Sequence, residues 1–149
     1  MSSDMTALEP AAMRPLARKM LAQRAGSHAG AKALAAAARG AYDDLVRVSV
    51  PLIGQVGVHA LADRASHLAR REHSCLLETK PDLADEPFAR MIACLERQEP
   101  SVAAEAAATV FALLAGLLVA FIGEPLTMQL LRQAWPDVLF DASTRSQNK

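Results

Sequence analysis

The amino-acid sequence predicts an all-α fold, a single-domain bundle of about five to six helices around a central hydrophobic helix at about 101–122. Three observations carry that expectation. Hydrophobic residues make up 52% of the 149 positions, aromatics only 4%, and alanine alone fills 31. A core of that kind is aliphatic and built by close backbone approach, which suits helices better than sheets. Apolar residues recur at three- and four-residue steps between proline and glycine breaks. No stretch alternates with period two, and no hairpin turn joins β-branched runs.

The elements follow in order. Residues 1–9 show no periodicity and are expected to be a flexible N-terminus; 10–140 form one helical domain, and 141–149 a flexible tail. Pro15 suits the first turn of a short helix running through about Gln23, with Leu16, Met20 and Leu21 on one side and Gly26 as its stop. Ser27 caps a second helix in which Leu34, Ala38, Ala41, Leu45 and Val48 recur at helical steps. Asp43 and Arg47 form an outward i,i+4 pair on it, and Pro51 ends or bends it. A third helix begins near Pro51 or Gly54 and reaches about Thr79, with a buried stripe of Ile53, Val56, Ala60, Leu61, Ala65, Leu68 and Leu76. Asp85 is the expected N-cap of a fourth helix with Phe88, Met91, Ile92 and Leu95 inward and Arg90, Glu96 and Arg97 outward, closed by Pro100. The fifth helix spans about Ser101 to Ile122, and the sixth runs from Pro125 to Trp135, carrying Leu126, Leu130, Leu131 and Ala134.

One motif is made twice. Sliding the chain by 69 residues aligns Leu45 with Leu114, Val50 with Val119, Ile53 with Ile122, Gly54 with Gly123, Leu61 with Leu130 and Ala65 with Ala134. Both Ile-Gly pairs fall where one helix is expected to give way to the next, and each is followed by a polar residue able to cap, Gln55 or Glu124. Ile53, Gly54, Ile122 and Gly123 therefore read as the junctions of a duplicated helix-Ile-Gly-helix elbow, with glycine supplying the left-handed conformation common at helix ends.

Residues 106–123 contain no charge, a stretch long enough for a membrane span. Small residues at Ala104, Ala108, Ala112, Gly116 and Ala120 form a continuous seam along it, the kind that lets helices approach closely in lipid or in water. Glu105 and Glu124 flank the stretch without a basic cluster to orient it. The expected role is a buried bundle helix, its seam completing helix packing or a homodimer core; a single span over 104–123 is the alternative.

Charge and motifs bound the function. Sixteen basic residues balance sixteen acidic ones, which gives no global field for nucleic acid or an acidic membrane. The balance conceals a block between Pro10 and Tyr42 with six basic residues and no acid, so Arg14, Arg18, Lys19 and Arg24 are candidates for docking an acidic protein partner. His59, Asp63 and His67 share a helical face, but eight residues of helix span about 12 Å, too far for one ion. Asp63 with His67 is thus the only metal pair worth carrying, and no cofactor is expected. A helix-turn-helix reading of residues 54–72, with Arg64, Arg70 and Arg71 on phosphates, is disfavoured by Asp63 and Glu72 on the same helix. Cys75 and Cys94 lack metal-ligand spacing and read as buried apolar side chains. Nothing resembles a nucleophile elbow, a phosphate-binding glycine loop or a zinc-protease helix. The expectation is a cytoplasmic, non-enzymatic interaction or regulatory module that pairs with itself and with another protein. A membrane protein or a metal-binding helical protein is the alternative.

Overall fold

The computed structural model describes residues 10–26, 28, 30–73 and 87–136. Every regular element among them is helical. They are α1 (Pro10–Ala25), α2 (Ala31–Ala69), α3 (Pro87–Leu95), α4 (Pro100–Ile122) and α5 (Glu124–Ala134). The bundle is the expected one, and α4 is its centre, in contact with each of the other four helices. Of its most apolar 18-residue stretch, of mean hydropathy 2.2, 56% is buried inside the chain. Ala106, Ala107, Val110, Phe111, Leu114 and Leu118 meet Met13, Ala17, Met20 and Leu21 of α1 and Leu34, Ala38, Ala41 and Leu45 of α2 in one core. Alanine on facing helices lets the backbones approach, and the larger side chains fill the remaining space.

Several local expectations are corrected. α1 starts at Pro10, so Pro15 lies inside the helix, on its exposed side. Gly26 ends it at φ 101°, and its N–H bonds the Ala22 carbonyl at 2.9 Å. Gly30, and not Ser27, is the N-cap of α2. Arg47 takes Asp44 at 2.8 Å, and Asp43 takes Arg39 at 3.3 Å, in place of the expected Asp43–Arg47 pair. Pro100 opens α4, where its missing N–H costs nothing, instead of closing α3. Asp85, Leu76, Cys75 and Thr79 lie outside the described residues, whereas Cys94 is buried in the core beside Met91 and Leu95.

Of the two expected break points in α2, Pro51 and Gly54, the break comes at Gly54, with φ 83° and ψ 157°, between helical arms over 31–53 and 55–69; the largest correction concerns which face the second arm buries. The bend is sharp. In a straight helix Tyr42 and His59 would stand about 25 Å apart; their rings stack here with centroids 6.4 Å apart. The second arm ends at Ala69 and buries Val58, Ala62, Ala65 and Ala69, so the expected stripe is rotated: Val56 is 84% exposed and Ala60 is also exposed. The elbow sets which side of that arm meets the core.

Gly123 repeats the conformation, with φ 93° and ψ 158°. Both glycines occupy the extended positive-φ region that is open essentially to glycine alone, not the left-handed helical region expected of an ordinary helix end. The reason is economy of length: one residue both ends one helix and starts the next, so no loop follows. At the second elbow Gly123 is the C-cap of α4 and the N-cap of α5, and its carbonyl accepts both the Thr127 N–H at 3.1 Å and the Thr127 hydroxyl at 2.8 Å. Glu124 is the first residue of α5 and makes no cap bond, contrary to the sequence reading.

Candidate functional site

The basic residues of α1 are half-buried or exposed, and three of them meet acids of the same chain. Arg14 Nη2 donates to both Glu72 carboxylate oxygens at 2.7 Å. Arg18 pairs with Glu105 of α4 at 2.6 Å, and Arg24 pairs with Asp44 of α2 at 2.7 Å. Lys19 is half-buried. Three of the six basic residues in the block are therefore matched by acids outside α1, and a partner reaching for Arg14, Arg18 or Arg24 would have to displace these acids.

Arg24 and Asp44 stand at the densest polar junction. Arg24 Nη2 also donates to the Ala134 carbonyl at the end of α5, at 3.3 Å, and Arg47 Nη1 donates to the other Asp44 oxygen at 2.8 Å. These groups edge a cleft of about 460 Å³ with Met20, Gln23, Gln133 and Trp135. The ends of α1 and α5 converge here, and their dipoles present partial negative charge. Together with the Asp44 carboxylate they offset the two guanidiniums, leaving the cleft without a surplus of either sign. Its chemistry is that of a three-helix clasp.

The Arg47 hydrogen bond is the main influence that holds the Asp44 carboxyl below its ordinary value; partial burial opposes it, and the bond and charge of Arg24 reinforce it. A carboxyl lowered by folding contributes stability that is fully present above its unfolded pKa of about 4 and is lost as pH falls through the folded value. Urea midpoints measured from pH 6 down to pH 3 are accordingly expected to drop more steeply for the wild type than for Asp44→Asn. Equal slopes would mean that the clasp does not contribute.

Asp63 and His67 are both exposed on the second arm of α2, and among the described residues no group of three or more metal-ligating side chains comes together. His59, by contrast, is turned inward against Tyr42. A histidine contact missed in the sequence is that of His73 Nε2 with Thr109 Oγ1, at 2.9 Å. Thr109 donates its hydroxyl proton to the Glu105 carbonyl at 2.9 Å, so the imidazole is the donor to it. The pair has the spacing of a base and a nucleophile, but Thr109 is 0% exposed. It ties the end of α2 to α4. Only the spacing of 36 residues separated this pair from recognition, and no local signal marks it.

The seam residues divide. Ala108 and Ala112 are fully buried in the chain's own core, Ala104 and Gly116 are half-buried, and Ala120 is exposed. Only its end is left for another molecule. Among the described residues, Val102 at the start of α4 is 38% exposed, and four further large apolar side chains are exposed: Phe121 at 61%, Leu126 at 41%, Leu52 at 48% and Val56 at 84%. These four flank the two junctions Ile53-Gly54 and Ile122-Gly123. Leu52 and Leu126 share a shallow groove of about 250 Å³ with Val48, Pro51, Gln129, Leu130 and Gln133. The most apolar 18-residue stretch of α2, of mean hydropathy 1.5, is only 22% buried.

No protein-family model matches the chain, and no curated protein or solved structure is significantly similar to it.

Proposed function

We propose that this protein is a helical interaction module that acts without catalysis and pairs with a second copy of itself through the apolar surface at its elbows. The observation that carries this reading is the set of large apolar side chains left exposed beside the elbows, Leu52, Val56, Phe121 and Leu126, on and around an apolar stretch of α2 of which only 22% is buried. Large exposed apolar patches on small chains mark contact surfaces. The seat of association moves from the basic face of α1, whose arginines already meet acids, to Leu52, Val56, Phe121 and Leu126. A cytoplasmic module of this kind would present the same face to a further protein once its own copy is displaced.

Light scattering at micromolar concentration tests the reading. The wild type is expected to be dimeric, and Leu52→Glu, which places a charge in the groove, is expected to weaken the dimer by about tenfold or more. A strictly monomeric wild type would end the proposal. The same exposed stretch favours one other occupant, a lipid surface, since α2 and α4 are each long and apolar enough to cross a bilayer. Flotation with neutral vesicles distinguishes the two: recovery of the chain with the vesicles, and no soluble dimer, assigns the face to lipid.

A further inference from the structure

The two elbows share a backbone conformation but differ two residues on. Gly123 is followed by Glu124-Pro125, and Gly54 by Gln55-Val56. That difference decides whether each elbow can open. If Gly123 turned helical, α4 and α5 would fuse into one helix with Pro125 in its interior, lacking an N–H and with its ring against the Phe121 carbonyl. Pro125 locks the second elbow. At the first, no proline follows, and Pro51 already sits inside the helical arm, so straightening asks nothing new of it. A Cβ at residue 54 would meet nothing within 4 Å, so the tip of this elbow stands in open space.

We propose that Gly54 is a hinge at which α2 straightens, so that the N-terminal hairpin, residues 10–53, exchanges between two copies of this chain. In the exchanged dimer α2 is one continuous helix of 39 residues, about 58 Å long. Each hairpin packs on the α3–α5 half of the other copy and makes the contacts it makes here at home. The Arg14–Glu72, Arg18–Glu105 and Arg24–Ala134 contacts, the stack of Tyr42 on His59 and the bond from the Trp135 indole to the Ala41 carbonyl all cross from residues 10–53 to residues 55–136, so all re-form between copies. Because the same residues meet in both states, the balance rests on the hinge and on protein concentration. Opening adds helical hydrogen bonds across residue 54 and removes a conformation that only glycine tolerates. This inference is independent of the apolar elbow face, which is not needed for the exchange.

Refolding from urea at low and high protein concentration, followed by size-exclusion chromatography with light scattering, tests it. The wild type is expected to yield, at high concentration only, a dimer that dissociates slowly on dilution because the hairpins must withdraw. Val56→Pro copies the lock of the second elbow at an exposed first-turn position and is expected to refold with unchanged helicity and to lose the slowly dissociating dimer, whether or not rapid face-to-face pairing through Leu52, Phe121 and Leu126 persists. Gly54→Ala is expected to raise the slow dimer-to-monomer ratio by about tenfold or more. Should Gly54→Ala fail to fold, the Val56→Pro comparison still decides. Val56→Glu, which alters the apolar face but leaves the hinge free, is expected to keep the slow dimer, which separates this device from face-to-face pairing. A wild type that refolds to monomer at every concentration, or a Val56→Pro chain that forms the slow dimer equally well, would overturn the proposal.

Discussion

Trp135→Ala is expected to destabilise the fold by about 3–5 kcal/mol, the largest effect of any single change considered. Trp135, the only tryptophan, follows the last residue of α5 and is 3% exposed. Its ring meets Phe111 of α4 edge-on at a centroid distance of 5.4 Å, and its indole N–H donates to the Ala41 carbonyl of α2 at 3.1 Å. One side chain thus joins α5, α4 and α2. Truncation opens a cavity, removes an aromatic pair and takes a donor from a buried carbonyl, effects that act in one direction. The check is urea unfolding followed by far-ultraviolet circular dichroism. A loss below about 1 kcal/mol would show that α5 is not held by this residue.

Ala108→Leu is expected to cost about 1–3 kcal/mol, while Ala120→Leu on the same helical seam is expected to be close to neutral. Ala108 is 0% exposed, and Ala120 lies at the exposed end of α4. Where two backbones approach over a methyl group, three further carbons have no space to occupy, and the helices must separate. Thermal unfolding of the two variants decides the matter. Equal effects would mean that the seam faces another molecule along its whole length and not the core of its own chain.

The fold class and the central helix were legible in the sequence because they depend on local pattern. Apolar residues at three- and four-residue steps and breaks at Gly26, Pro100 and Gly123 are statements about neighbours in the chain. The junction was legible for the same reason: Ile53-Gly54 and Ile122-Gly123 do take one conformation twice, with φ of 83° and 93°. The site was not. Arg24, Asp44 and the Ala134 carbonyl are brought together from three helices, as are Arg14 with Glu72 and His73 with Thr109, and no spacing along the chain encodes those meetings. The basic block looked free because its acids lie outside α1: Glu72 is 58 residues from Arg14, Asp44 is 20 residues from Arg24, and Glu105, the partner of Arg18, is on α4.

By itself the sequence determined that this chain is helical, that α4 is its core and that glycine stands where helices turn, since helix propensity, apolar period and glycine's access to positive φ are properties of single residues and their near neighbours. Only the tertiary structure decided which side of each helix the core takes. The bend at Gly54 rotated the second arm of α2, burying Val58 and Ala62 and leaving Val56 in solvent. A helical pattern rich in alanine offers several faces of nearly equal burial energy, and the choice among them falls to the angle at which the arms meet.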